Sequence, residues 1–193
     1  MIIYGDKRSG NCLKVKWTAQ VLGIAYEWRD IDIMAGGSRT DEYLAINPQG
    51  QVPCVRLEDG RYLAQSNAIM RYLADGSALL PSTPYERAKV DEWMFWEQYS
   101  HEPYIAVCRF HMLYLGRSAD EREDWRVERG ENALDFMDKM LAGRQWLVGE
   151  AMSIADIALY AYTRDVHLGG FNLASRGHVR RWLDECKEQL PPG

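Results

Sequence analysis

Asn47-Pro48-Gln49-Gly50-Gln51-Val52-Pro53-Cys54-Val55, with Gln65-Ser66-Asn67-Ala68-Ile69 just beyond it, is the stretch on which the fold turns. The first segment ends a helical pattern, makes a polar turn and enters a short apolar run through Val52-Pro53. A proline at a strand entrance cannot donate to a ladder, and it pushes the preceding residue toward extended geometry. Val52 is therefore expected to be extended, with its N–H and C=O free to pair with something outside the sheet. The second segment leaves another apolar run and opens a helix at Ser66. A hydroxyl and free N–H groups at a helix N-terminus attract a carboxylate. One segment offers a peptide edge and the other a carboxylate seat, and a small anionic peptide suits both.

Upstream, residues 1–5 read as a short buried strand, 6–11 as a polar loop with Gly10, and 12–22 as a helix that Gly23 stops. Residues 26–33 read as a second strand, in which Tyr26 and Trp28, then Ile31 and Ile33, alternate with a slip between the pairs. Strand, helix and strand make a βαβ unit, with parallel pairing and a right-handed crossover. Residues 34–39 are a glycine-rich loop, and Thr40 caps a short helix that Asn47-Pro48 closes. Residues 54–57, a turn at 58–61 and residues 62–64 form a hairpin, and Ser66 caps a helix through residue 74.

The Gly-, Ser- and Pro-rich stretch 75–84 reads as a connection between halves. Beyond it the pattern is helical. Residues 84 to about 116 form one long amphipathic helix that Pro103 should kink, and residues 119–141 form a second. Ser153-Ile154-Ala155-Asp156 has capping-box spacing, with an acid in the glutamate's place, and opens a helix through residue 162; a last helix covers 177–190. The expected domains are 1–76 and 84–193, joined by 77–83.

Composition narrows the function classes. The 193 residues carry 26% charged and 47% hydrophobic side chains, ordinary for a globular protein. A net charge of −5, from 23 basic and 28 acidic residues, argues against nucleic acid as the main partner. No apolar run approaches the roughly 18 residues of a membrane span, so no membrane partner is expected. Met1-Ile2-Ile3-Tyr4 enters a strand pattern at once, with no basic start, so the expected location is cytoplasmic. Cys12, Cys54, Cys108 and Cys186 are far apart, without a C-x-x-C or a histidine at ligand spacing. Free thiols are expected, with no metal and no disulfide framework.

Tyr4-Gly5, Ser9-Gly10-Asn11-Cys12, the 47–53 stretch, Gln65-Ser66-Asn67-Ala68-Ile69 and Ser153-Ile154-Ala155-Asp156 each carry little alone. Their order and spacing resemble the cytosolic glutathione transferases over nearly the whole chain, closest to the bacterial serine-type, theta- and beta-like members. That resemblance implies an α/β plus all-α protein: a thioredoxin-like N-terminal domain followed by an all-helical C-terminal domain. It implies glutathione as co-substrate and a small electrophile as second substrate, such as an activated halide, an unsaturated carbonyl or an epoxide. Peroxide reduction at the same thiolate is a close variant. The electrophile would sit in the cleft between the domains, the protein would be a homodimer, and its role would be detoxification.

Position alone reads Ser9 as a helix N-cap; the resemblance makes it the donor to the sulfur of glutathione. Such a donor is needed because the thiolate attacks, and a free thiol has a pKa of roughly 8.5. Each unit of depression takes about 1.4 kcal/mol of preferential thiolate stabilisation. Cys12, one turn into the helix, is a rival that would form a mixed disulfide, and Asn11 could donate its side-chain amide. Both keep open a disulfide-reductase alternative, and a non-catalytic interaction module is a third reading. The resemblance further implies that the Val52-Pro53 peptide is cis and that the Val52 backbone pairs with the cysteinyl part of glutathione. It assigns Gln65 and Ser66 to the γ-glutamyl end, with Gln65 standing where the family often has an acid. Gln51 replaces a frequent lysine, and Arg39 lies near where a basic residue meets the glycyl carboxylate. Tyr104 and Arg109, near the Pro103 kink with Tyr99, His101 and Phe110, are the candidates for the second substrate's pocket. Asp156 reads as structural.

Overall fold

In the computed structural model, which describes residues 1–192, four short strands form one sheet in the order β2-β1-β3-β4. Strand β1 (Ile2–Gly5) runs parallel to β2 (Glu27–Asp30), with Ile3 opposite Trp28. It runs antiparallel to β3 (Cys54–Arg56), with Ile3 opposite Val55, and β3 continues into β4 (Tyr62–Ala64) as a hairpin.

Successive strand side chains alternate faces, so Ile3 and Val55 point to one side of the sheet while Ile2, Tyr4 and Cys54 point to the other. On the first side, helix α1 (Gly10–Val21) adds Val15 and Ala19, and helix α3 (Ser66–Leu73) adds Ile69, to one core. On the other side, helix α2 (Asp41–Ile46) sets Tyr43 against Tyr4 and Cys54. Gly5 makes the close approach of α1 possible: a Cβ there would lie 2.9 Å from both Cys12 Sγ and Trp28 Cη2. This is the thioredoxin-like arrangement.

The chain divides into two compact units, Met1–Ser77 with the residues from Leu190 onward, and Ala78–Gln189. The second unit is helical: α4 (Pro84–Trp96), α5 (Glu102–Leu113), α6 (Asp124–Met140), α7 (Ile154–Thr163) and α8 (Gly177–Gln189). No helix among the described residues is long and apolar enough to cross a membrane.

Two local expectations are corrected. The long helix expected through residue 116 is broken by a π-helical turn at Glu97–His101, upstream of Pro103. Pro103 lies in the first turn of α5, where its missing N–H removes no intrahelical bond. The wider i→i+5 turn before it absorbs the mismatch. His101 thereby turns into the core, its Nε2 3.0 Å from Thr163 Oγ1. The N-cap of α3 is Gln65 and Ser66 is its first helical residue, because the chain turns at Gln65 with φ 69° and ψ 112°.

Every residue of α7 is buried. Its entry is ordered by Asp156, whose carboxylate accepts from Leu147 N (3.0 Å), Ser153 N (2.9 Å), Ser153 Oγ (3.0 Å) and Trp182 Nε1 (2.9 Å). The capping box read from the sequence is complete.

Candidate active site

The loop before α1 is built by an aspartate. The Asp6 carboxylate is buried and accepts from Arg8 N (2.8 Å), Nε (3.1 Å) and Nη2 (2.9 Å), while the Asp6 carbonyl accepts from Ser9 N (3.0 Å). Burial pushes this carboxyl up, but the Arg8 hydrogen bonds and charge more than offset it and hold the group below its ordinary value. Ser9 is thus delivered to the N-cap of α1 with extended backbone, φ −77° and ψ 122°, yet its side chain makes no capping bond. No acidic residue stands in the first turn of α1 or of α3, so neither positive helix end is neutralised from within.

Cys12 is a poor nucleophile. It is fully buried against Gly5, and burial pushes its thiol up to about 12, with the Ser9 hydroxyl and the Asp6 backbone pulling only weakly the other way. At neutral pH almost none of it is thiolate.

Asn11 ties α1 to α3. Its Oδ1 accepts from Ser66 Oγ at 2.9 Å and from Lys14 Nζ at 2.8 Å. Lys14 is completely buried, a position that sequence reading passed over because a lysine on a helix is usually solvated. A lysine inside the apolar run Cys12-Leu13-Lys14-Val15 was the available signal.

The 47–51 turn hangs on Asn47, which is buried and uses its whole side chain. Its Oδ1 accepts from Gln49 N (3.3 Å), its Nδ2 donates to Gln51 O (2.8 Å), and its carbonyl accepts from Gly50 N (2.9 Å). Tyr43 Oη also donates to Gln51 O at 2.8 Å. With Gln51 pinned by two donors, the chain enters a cis Val52-Pro53 peptide. The Val52 peptide enters none of the hydrogen bonds formed among the described residues. Asn47 and Tyr43 are thus site-shaping residues, where the sequence shows only that Asn47 closes a helix.

Gln49 links the remaining pieces. Its Oε1 accepts from Gln65 Nε2 at 2.9 Å, and its carbonyl accepts from Arg39 Nη1 at 3.2 Å. Gln65 is the only non-glycine among the described residues with positive φ. Such a backbone costs on the order of 1–3 kcal/mol and persists where the surrounding structure over-determines it. The first unit therefore gathers Asn11 with Ser66, and Arg39 with Gln65, while Val52 keeps an open peptide.

The two second-substrate candidates are not brought together. Tyr104 and Arg109 are five residues apart on α5, so their side chains leave the helix about 140° apart. Tyr104 is buried, its hydroxyl accepting from Arg129 Nη1 at 3.0 Å and its ring edge-on to Trp125. The Arg109 guanidinium lies 6.0 Å from the Tyr114 ring centroid.

A thioredoxin-like sheet, an open peptide edge at Val52-Pro53 and a serine hydroxyl at the start of α1 that caps no helix N–H define a class of proteins that handle thiol peptides. Within that class, the chain belongs to the glutathione S-transferase family. Residues 8–75 match the family's N-terminal domain and residues 101–189 its C-terminal domain. The chain is 33% identical over 180 residues to glutathione S-transferase F10 of Arabidopsis thaliana, covering 86% of this chain and 83% of that relative. It is similar to the crystal structure of a glutathione S-transferase from Pseudomonas fluorescens Pf-5, with TM-score 0.94, 48% identity, and coverage of 99% of this chain and 97% of that one. A maleylacetoacetate isomerase from Methylobacterium extorquens AM1, solved with bound malonate and GSH, is similar with TM-score 0.78, 29% identity, and coverage of 96% and 91%. With family membership comes the enzyme class: the chain is a glutathione transferase.

Proposed function

We propose that this enzyme lowers the thiol pKa of bound glutathione through Ser9 and adds the resulting thiolate to small electrophiles. The observation that carries the reading is the Ser9 hydroxyl, placed at the positive end of α1 and not spent on capping it. A hydroxyl bond to a thiolate, together with the helix end, supplies roughly two pKa units of depression, about 2.7 kcal/mol. The carbon–sulfur bond forms as the leaving group departs with its electron pair, or as the proton released by the thiol returns to the adduct. Reduction of a peroxide uses the same thiolate and a second glutathione.

The rest of the platform supports a tripeptide lying across it. Val52 offers its open peptide to the cysteinyl residue, a one-residue strand addition, and Pro53 holds the edge in place. Ser66, in the unneutralised first turn of α3, takes the γ-glutamyl carboxylate. The oxygen of the Gln65 side chain, turned by the bond from Gln65 Nε2 to Gln49, takes the ammonium. Asn11 orients Ser66, and Arg39 with Gln51 takes the glycyl carboxylate. The electrophile's seat is assigned to α5, with Tyr104 and Arg109 as the residues to substitute first.

A homodimer in the cytoplasm is proposed on the same footing, with detoxification as its role. Tyr85, Phe95 and Tyr99 are 75%, 75% and 81% exposed, an apolar load that a second copy would cover. Sedimentation equilibrium tests that assembly.

An ultraviolet titration of glutathione with the enzyme across pH, beside Ser9→Ala, tests the central reading. A thiolate band with a depressed midpoint in wild type, lost in the variant, is the expected result. A band that survives the substitution removes Ser9 from the mechanism. The disulfide-reductase alternative works through Ser9, Asn11 or Cys12; its Cys12 form requires a protein-bound mixed disulfide, and mass spectrometry is expected to find none.

A further inference from the structure

We propose that Gly50 is a specificity-determining residue: its missing side chain is the seat of the Arg39 guanidinium, and through that seat it sets a preference for thiol peptides ending in a free carboxylate. The inference rests on the reading of Arg39 given above, and goes beyond it by naming what holds Arg39 in place.

The steric argument is direct. A Cβ at Gly50 would lie 2.5 Å from Arg39 Nη1 and 3.0 Å from Arg39 Cζ, where ordinary contact begins near 3.4 Å. A side chain at position 50 and the guanidinium at its present place exclude each other. The guanidinium is the far end of a flexible chain, so it is the partner that yields. The same Cβ would lie 2.9 Å from Ser38 O, which closes the other way out. Gly50 also holds φ +62°, a conformation that only glycine adopts freely, so one residue makes both the turn and the seat.

Positive φ alone does not explain the contact. Gly23 and Gly36 hold φ +65° and +78°, and an added Cβ at either meets nothing within 4 Å. Gly170 is the instructive parallel, because it too has an arginine on its missing side chain: a Cβ there would lie 2.9 Å from Arg122 Nη1. Arg122, however, is spent internally. Its Nε donates to Ala119 O, its Nη1 to the carbonyls of Gly169 and Gly170, and its guanidinium lies 5.3 Å from the Phe171 ring centroid. Arg39 makes one such bond, to Gln49 O, is exposed, and enters no ion pair among the described residues. Its remaining donors are held against the 47–51 turn, at Gln49 O and Gly50, without a carboxylate to serve among the described residues. A guanidinium so fixed suits a carboxylate brought in by a ligand.

Calorimetric titration with glutathione and with its glycine monoethyl ester tests the proposal through Kd, without turnover. Wild type is expected to bind the acid about tenfold more tightly than the ester, as one charge-assisted contact implies. Gly50→Ala and Arg39→Ala should each bring that ratio close to one, and the double variant should lower it no further. Gly36→Ala, which carries a comparable backbone penalty in the 34–39 loop without a clash, should keep the wild-type ratio. If Gly50→Ala does not fold, Gly50→Asn brings the same Cβ on a residue that tolerates this backbone. Loss of the ratio in Arg39→Ala with its retention in the Gly50 variants overturns the seat while leaving Arg39's role standing. Retention in Arg39→Ala overturns both.

Discussion

Two serines stand at α-helix N-caps among the described residues and spend their hydroxyls differently. Ser153, before α7, accepts from Ala155 N at 3.2 Å and donates to Asp156 Oδ2 at 3.0 Å, and Asp156 reaches back to Ser153 N. Ser9, before α1, makes no capping bond. Backbone shape does not separate them, since both are extended. The residue at the third helical position does. Asp156 has a carboxylate that reaches the Ser153 N–H, whereas Cys12 has a buried thiol that meets the Ser9 hydroxyl and accepts from no backbone N–H of the cap. What orders the approach to α1 is instead Asp6, which holds the loop from outside through Arg8 and the Ser9 N–H. A cap whose order comes from elsewhere leaves its hydroxyl for a ligand, and a cap that closes on itself does not.

The largest effect that could break this comparison is at Asp156. Asp156→Ala strands four buried donors and should cost about 3–5 kcal/mol, read from denaturant unfolding. Asp156→Asn, which keeps one acceptor oxygen, should fall between. A loss under about 1 kcal/mol for the alanine variant would mean that the box is not what secures α7.

Ser9→Ala should act in the other currency. We expect kcat/KM to fall roughly ten- to a hundredfold, the worth of one hydrogen bond to a charged group. Unfolding free energy should stay within about 0.5 kcal/mol of wild type, since no cap is lost. Ser153→Ala should show the reverse, about 1 kcal/mol of stability with the thiolate midpoint unmoved. If both serines cost the same stability, the distinction between a spent and an unspent cap fails.

Much of this was legible in the sequence because it is local. The apolar run Ile2-Ile3-Tyr4, the Glu58-Asp59-Gly60-Arg61 turn and the Ser153-to-Asp156 spacing each act within a few residues, and the sheet and the box follow them. The thioredoxin-like order came from the same local signals joined to the family resemblance. What escaped depends on partners distant in sequence or on burial that the sequence does not display. Ser66 looks like an N-cap until its hydroxyl is found on Asn11, fifty-five residues away, and the cap passes to a strained Gln65. Pro103 looks like the kink until a π turn upstream takes the misfit. Lys14 and Asn47 are polar in sequence and buried in the fold, because each has its polar atoms paired locally while its neighbours pack on the sheet. Tyr104 reads as a pocket residue, and its hydroxyl accepts from Arg129 on the next helix, a partner that sequence spacing does not reveal.

The smallest effect, and the one that sharpens the comparison most, concerns Asp6. If Asp6 does for α1 what the Ser153–Asp156 box does for α7, its charge should matter, because the pairing with Arg8 holds its carboxyl below the ordinary value. A carboxyl whose folded value is depressed adds stability that is complete above the unfolded value, about 3.9, and is lost as pH falls through the lower folded value. Asp6→Asn keeps an oxygen for the Arg8 N–H but loses the charge that Arg8 faces. Wild type should therefore be more stable than Asp6→Asn at neutral pH, and the difference should shrink as pH falls below about 4. The thiolate midpoint should move less than in Ser9→Ala, because Asp6 places the serine and does not touch the sulfur. A stability difference that persists undiminished at pH 3 would show that the loop is held by the Asp6 hydrogen bonds alone, and that the charge of the Asp6–Arg8 pair has no part in presenting Ser9.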